Sequence, residues 1–573
     1  MVKIIGLDFE TIKKNNVHQF YSFQIYSEDY CGLNGVYYDK KQLYNVFSRK
    51  TNNAIFLVFN LAFDGILLSE ILSEYKPRNF REYKYDIVAL YQNSNFKYLR
   101  ISKGGLKWKV YDLMNILQVR SLSQASKIIN ARKLEKPPFL GVRGWENEKE
   151  KEEFEQYALN DAQLCYLLGK AILEEFKTIK STAGGIAIRI FKRDFVHKYV
   201  FSNLPRELES KIREAYHGGR VECLRRGTID KKIYAYDVIS MYPYVMKTFS
   251  YPYVVEKPIL KTNINLDNEG IAFCRVHIDH EVPPLCRKIK FDDGFERLIF
   301  PSGIFEGAFT YPELRLLNDS NNIGKILDVK YAIEYKHKFN PFKKFVDHFY
   351  ELKRKAEEES NPKRTFYKLM LNSLYGKFGE KGTLRIIKLN SRNIEYEKEI
   401  TLRKRWYNNV VLASYITAYA RIVLWQYMKQ IGFEHIYYCD TDSLFVDKPL
   451  LIDNSKELGK LKFEGEAKEY ESTFIRSKFY IFQDKIVCKG FKVNMEKELF
   501  LMCIYMQNFT IIEHKITKLL ESLRQSLIPL SDIYYEKRFD VSEDKKRVYE
   551  KQLNNFMLLI DYSDSFPIIL KEE

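Results

Sequence analysis

The chain has no run of eighteen apolar residues, and its opening, Met1-Val2-Lys3-Ile4-Ile5-Gly6, goes directly into a strand pattern. Neither a membrane-spanning helix nor a signal peptide is expected. Its eight cysteines are scattered with no Cys-x-x-Cys pair, which argues against zinc sites and a disulfide framework. No internal repeat, low-complexity linker or basic tail is visible. These absences describe a soluble, cytoplasmic protein of a reducing interior. What is abundant is positive charge and aromatic rings. A net charge of +17, from 92 basic and 75 acidic residues, is spread along the chain beside 42 Tyr and 40 Phe. That composition suits a nucleic-acid groove with stacking platforms. The 573 residues, 46% of them hydrophobic, allow a large core and about four domain-sized units.

Acidic residues fall where elements end. Tyr438-Cys439-Asp440-Thr441-Asp442-Ser443 lies between the apolar runs His435–Tyr437 and Leu444–Val446, so it reads as strand, tight turn, strand. Asp440 and Asp442 are two residues apart and point the same way on extended backbone. Asp237 closes a strand, Ile233-Tyr234-Ala235-Tyr236. Residues 1–175 read as an α/β domain. The alternation Lys3–Thr11 puts Asp8 and Glu10 on one face. A buried strand, Ala54–Phe59, runs into Asn60-Leu61-Ala62-Phe63-Asp64-Gly65, with a helix expected from Ile66. A helix over Phe154–Leu173 places Tyr157 and Asp161 on one face at i and i+4. The charged run Glu146–Glu155 is read as its solvated lead. Asp8, Glu10, Asp64 and Asp161 together fit a two-metal hydrolytic site. From Pro362 a helix sets Arg364 and Lys368 on one face, with Tyr375 at i+7 from Lys368, a pair of cations suited to a triphosphate.

Asp8-x-Glu10, Asn60-x-x-x-Asp64 and Tyr157-x-x-x-Asp161 resemble the three motifs of the DEDD 3′–5′ exonucleases. Asp237-Val-Ile-Ser-Met-Tyr242-Pro resembles motif A of the family-B DNA polymerases. Lys368-Leu-Met-Leu-Asn372-Ser-Leu-Tyr375-Gly376 resembles their motif B, and Tyr438–Ser443 their motif C. Tyr216-His-Gly218-Gly219 is similar to the YxGG linker and Lys478-Phe-Tyr480 to the KxY motif. Eight motifs stand in the family's order between residues 8 and 480. The small size and two insertions resemble the protein-primed branch.

The resemblance implies an α/β and α+β multidomain fold. A ribonuclease-H-like DEDD exonuclease domain (1–177) would precede a right-hand polymerase. Its parts would be palm (178–248 and 412–510), fingers (344–379) and thumb (511–573), the last placed by position alone. Insertions at 249–343 and 380–411 would contact a priming protein and encircle the template. The second reads as a hairpin, Thr383–Leu389 with Ile394–Leu402, whose Arg385, Lys388, Arg392, Arg403, Lys404 and Arg405 would line a channel.

The implied activity is DNA-directed DNA synthesis with 3′–5′ proofreading and strand displacement, on a linear phage or mobile-element genome and hence in host cytoplasm. A primer-independent replicase, or a nuclease or single-strand-binding protein with an inactive polymerase half, are the alternatives. Each site would take two Mg²⁺, with Mn²⁺ as a substitute. Asp237, Asp442 and the Val238 carbonyl would serve synthesis with Asp440 as accessory, and Asp8, Glu10, Asp64 and Asp161 would serve digestion. Tyr157 would orient water, with Lys133 or Lys136 as the exonuclease lysine. Tyr242 would exclude a 2′-hydroxyl, and Arg364, Lys368 and Tyr375 would bind dNTP. Thr11, Asn60, Phe63, Tyr216, Gly218, Gly219, Lys478 and Tyr480 would contact DNA. The expected partners are primer–template, single-stranded DNA and a terminal protein, with the enzyme a monomer and no membrane partner. Two departures from the branch stand at Phe59, where a histidine is usual, and at Leu113-Met114.

Overall fold

The computed structural model describes residues 2–571 apart from 78–81, 93–94, 197–200, 202–203, 319–322, 381–382, 402–404, 453–455, 491–495, 507–508, 519–520, 522–526 and 540–544. The first unit is built on β1 (Ile4–Lys14), β2 (Val17–Tyr26), β3 (Gly35–Tyr37), β4 (Ile55–Val58), β5 (Asp86–Gln92), β6 (Asn95–Lys103) and β7 (Leu106–Asp112). The order across the sheet is β5-β6-β7-β4-β1-β2-β3, with β1, β4 and β7 parallel. Strand alternation sends Ile4 and Leu57 to one face, against Leu164 and Leu168 of α2 (Glu148–Phe176). Ile5, Leu7, Phe56 and Val58 face the other way, against Ile66 and Leu67 of α1 (Leu61–Ser73).

Both helices begin earlier than the pattern suggests. Asn60 takes a left-handed conformation, φ 85°, which ends the strand and lets α1 start at Leu61 instead of Ile66. Asp64 therefore sits in a first helical turn. α2 starts at Glu148, where the Asn147 side chain accepts the Glu150 N–H at 2.9 Å. Part of the charged run is thus helix, held by Arg143 on Glu150 at 2.8 Å.

The second unit centres on a five-stranded antiparallel sheet. Its order is Leu461–Ala467, Ile233–Val238, Ser443–Val446, Ile436–Asp440, Val221–Cys223. The apolar helix Val410–Ile431 is buried in the same core. A separate sheet forms within residues 249–343, in which Glu269–Ile278 lies between Ser302–Thr310 and Gly324–Tyr335. Lys343–Glu358 and Arg364–Ser373 form a helical pair. Among the described residues no helix is long and apolar enough to cross a membrane.

Two expectations change. The hairpin Thr383–Asn390/Asn393–Thr401 is not free: it continues the first sheet by pairing Arg385–Leu389 with Ile87–Tyr91 of β5. Its cations are neutralised, with Arg385 on Glu397 at 3.1 Å, Lys388 on Glu395 at 3.2 Å and Arg392 on Glu70 at 2.8 Å. Cross-strand acids and Glu70 of α1 thus take up Arg385, Lys388 and Arg392, while Arg405 lines a neighbouring cavity; Arg403 and Lys404 lie outside the described residues. The C-terminal end also divides. Phe509–Ile516 and Asp532–Phe539 form a two-stranded ribbon, but Tyr562–Pro567 pairs with Arg225–Ile229 and Ile569–Lys571 with Ser302–Gly303-Ile304.

Candidate active sites

In the first unit a glycine sets the geometry. A Cβ at Gly6 would stand 2.0 Å from the Ala162 carbonyl oxygen, so only glycine lets α2 approach β1 this closely. The approach brings Asp161 to Asp8 and Glu10, and all three can offer an oxygen within 4.8 Å of one another. Asp64 adds a fourth charge from α1, 3% exposed, and its Oδ2 has no hydrogen-bond partner. Burial and mutual repulsion push Asp8 and Asp64 well above the usual carboxylate range. Burial and Asp161 push Glu10 up to about 7. Burial pushes Asp161 up to about 6 against the pull of Lys133. Four crowded oxygen donors, one of them orphaned, fit a hard divalent cation.

The neighbours separate two lysines. Lys133 Nζ lies 2.6 Å from Asp161 Oδ1 and 3.8 Å above the Tyr157 ring, and both Lys133 and Lys136 pull Glu10 down. Thr11 Oγ1 is 3.0 Å from His18 Nδ1, and the His18 ring meets Phe63 edge-on at 5.7 Å. Asn60 spends its backbone N–H on Asp112, 3.1 Å away. Sequence reasoning missed Gln24, which lies directly opposite Asp8 and donates to its Oδ2 at 2.5 Å. The signal was a buried polar residue inside the apolar strand Phe23-Gln24-Ile25.

In the second unit Asp237 stands opposite Ser443, and the Val238 N–H donates to the Asp442 carbonyl at 2.8 Å. Thr441, at φ 63°, makes the tight turn. Burial and Asp442 push Asp237 up to about 7; burial and Asp440 push Asp442 up to about 6. Two neighbouring half-buried acids again fit a divalent cation. Lys368 is near enough to draw Asp237 down, while Arg364 is exposed with Nη1 3.5 Å from Glu357. Tyr375 is not on the helix, which ends at Ser373, but in the 3₁₀ turn Tyr375–Lys377. From there it stacks on Tyr242 with ring centres 4.1 Å apart and a 12° tilt.

Asp440 has a cation of its own. Lys478 Nζ holds both its oxygens, at 2.7 and 2.8 Å, so the accessory acid is already neutralised. The same pair occupies Lys478, expected on DNA, and Tyr480 is packed 5.0 Å from the Tyr438 ring. The linker motif is tied to the turn. Arg421 donates to the His217 and Gly218 carbonyls at 3.2 and 2.9 Å and to buried Glu313 at 2.6 Å. A Cβ on Gly219 would meet Thr441 at 2.7 Å, and the Thr441 N–H donates to the Arg220 carbonyl at 2.7 Å. Tyr216 packs against Gly379.

Residues 145–451, more than half of the chain, match the family described as DNA polymerase type B, organellar and viral. The chain belongs to that family. Its relatives include a probable DNA polymerase of Neurospora intermedia, 28% identical over 349 residues, covering 54% of this chain and 35% of the relative. The DNA polymerase of Bacillus phage phi29 is 28% identical over 346 residues, covering 56% and 57%. That of Acidianus bottle-shaped virus is 25% identical over 386 residues, covering 62% and 54%. The chain spans from about a third to just over half the length of these relatives. Among solved structures, phi29 DNA polymerase with primer–template DNA and incoming nucleotide matches with TM-score 0.71 at 18% identity. The match covers 95% of this chain and all of that one, which establishes the fold. The matched region includes Asp237, Lys368, Tyr375 and Asp442 and stops short of the acids of β1 and α1.

Proposed function

We propose that this protein copies DNA at Asp237 and Asp442 and removes nucleotides from a 3′ end at Asp8, Glu10, Asp64 and Asp161. The observation that carries this reading is the pair of carboxylate clusters on two different sheets, in each of which burial and neighbouring acids disfavour the ionised form. Divalent cations, Mg²⁺ by the oxygen-only donor sets, would activate the attacking oxygen and offset phosphate charge at each centre. At the second centre Arg364 and Lys368 draw the triphosphate of a dNTP to one helix face. The stacked Tyr242–Tyr375 pair offers a floor under the incoming sugar that would exclude a 2′-hydroxyl. At the first, Tyr157 orients water and Lys133 keeps Asp161 ionised. Thr11, Asn60 and Phe63 line the approach for a single-stranded end.

The layout is that of an exonuclease domain over 1–177 followed by palm, fingers and thumb with two insertions. Arg392 at the hairpin tip donates to the Pro529 and His18 carbonyls at 3.1 and 3.0 Å, and the His18 N–H donates to the Leu530 carbonyl at 2.9 Å. These contacts tie the hairpin tip to the first unit and to the segment before Asp532–Phe539, which supports a role for the hairpin in holding DNA and separating strands ahead of synthesis. A cavity of 620 Å³ beside the hairpin base is lined by Lys97, Lys180, Arg189, Lys192 and Arg405 with no carboxylate, a path for phosphates. A terminal protein supplies the first hydroxyl in this reading, and the enzyme works as a monomer.

The test uses a recessed primer–template, a 3′-labelled single strand, and an unprimed template with and without a candidate terminal protein. Mg²⁺-dependent extension of the first and shortening of the second are expected, with synthesis on the third only when the protein primer is present. Loss of extension with digestion intact would make the second unit an inactive relic. Synthesis on unprimed template without any protein primer would favour a primer-independent replicase.

A further inference from the structure

One strongly charged face takes no part in either centre. Along β7, Lys107, Lys109 and Tyr111 alternate with buried Trp108 and Val110. Their partners on β6 are Ser102, Arg100 and Tyr98, so one face carries three cations, Arg100, Lys107 and Lys109, next to half-buried Tyr98 and buried Tyr111. α2 packs over β1, β2 and β4, and Arg100, Lys107 and Lys109 remain exposed. None of the three pairs with a carboxylate among the described residues, whereas the hairpin cations nearby do. At the Tyr111 end the face opens into the basic cavity beside the hairpin. At the Lys107 end it opens into a second cavity of 580 Å³, lined by Lys3, Arg100, Lys107 and Lys109 with Asn52 and Asn53, again with no carboxylate. Lys109 borders both. The second cavity lies at the beginnings of the parallel strands β1, β4 and β7, whereas the acids of the first centre stand farther along, Asp8 and Glu10 within β1 and Asp64 past the end of β4.

We infer that this face of β6 and β7 is a track for single-stranded DNA, leading outward from the basic cavity and away from the digestion site; the inference rests on the DNA-copying role proposed above. Same-face cations on β7 repeat about every 6.6 Å, which the phosphates of an extended strand can follow. Tyr98, half-buried at the cavity mouth, offers a ring that only unpaired bases can stack on. The strand is the unpaired template ahead of synthesis, since Lys377, from the same turn as Tyr375, borders the basic cavity from which the track leads.

The test compares the parent with an Arg100→Glu/Lys107→Glu variant on primer–templates carrying either one unpaired template nucleotide or a long unpaired overhang. The parent binds the long overhang more tightly. The variant loses that gain, and its log affinity against log salt becomes shallower by about 1.4, roughly 0.7 for each of two phosphates. Addition to the one-nucleotide overhang is unchanged, and Arg100→Lys/Lys107→Arg behaves as the parent. A photo-crosslinking residue at position 107 should join the template overhang and not a displaced 5′ flap. A variant with the parent's overhang preference and salt slope, or a crosslinker that joins only the displaced flap or neither strand, overturns the track. A parent that fails to extend even the one-nucleotide overhang overturns the copying role instead.

Discussion

Stripping divalent cations from the folded protein should make its stability fall as pH rises. In the first centre burial and neighbouring acids raise Glu10 from its ordinary 4.5 to about 7. The folded state therefore holds this proton more tightly than the unfolded chain does. The resulting stabilisation is fully present below about pH 4.5 and is lost as pH rises through about 7. At 1.36 kcal/mol per pH unit the whole effect is roughly 3 kcal/mol, of which about 2 kcal/mol falls between pH 5.5 and pH 8. Asp161, raised to about 6, and Asp237, raised to about 7, act with the same sign. A loss of about 2 kcal/mol lowers the unfolding temperature of a unit of 150–250 residues by roughly 4–8 °C. The assay is thermal unfolding at pH 5.5 and 8 in chelator and again in Mg²⁺. Because the cation binds the ionised acids, Mg²⁺ should remove most of the decline, and Asp64→Asn should raise the chelated protein's stability at pH 8. Equal stability at both pH values in chelator, or the same decline with Mg²⁺ present, would refute the reasoning.

Tyr242→Val should open the floor beneath the sugar, so that ribonucleotides are incorporated alongside deoxynucleotides; competition between dNTP and rNTP in single additions reads this. Glu313→Gln strands the buried Arg421 guanidinium and should destabilise the fold by about 3–5 kcal/mol, whereas Glu313→Leu with Arg421→Met should cost much less; denaturant unfolding compares them. Gln24→Ala should release Asp8 from its only side-chain donor among the described residues, slowing 3′ digestion at least severalfold and raising the Mg²⁺ needed, with extension rate unchanged.

The acids were legible because their placement is local. Period-2 alternation fixes Asp8 beside Glu10, and an i, i+4 step fixes Tyr157 beside Asp161, whatever the rest of the chain does. The bound ends of helices were less so, since a left-handed Asn60 overrides the apolar pattern that suggested a start at Ile66. Long-range pairings were not legible at all. Lys478 finds Asp440 across 38 residues and Arg421 finds Glu313 across 108, and neither residue's neighbours in sequence announce a partner. The hairpin's charges looked available for DNA because its own cross-strand acids and its seat on β5 emerge only once register is set. The division of the C-terminal end has the same origin, as strands 562–567 and 569–571 join sheets begun hundreds of residues earlier.

The central claim is that two independent centres on one chain carry opposite reactions. The most direct measurement follows a labelled primer on its template, with and without dNTPs, for Asp442→Ala and for Asp8→Ala/Asp64→Ala. Asp442→Ala should shorten the primer from its 3′ end and never extend it. The double variant should extend it and never shorten it. Normal extension by Asp442→Ala, or continued 3′ shortening by a nuclease-free preparation of Asp8→Ala/Asp64→Ala, would contradict the assignment of chemistry to these acids.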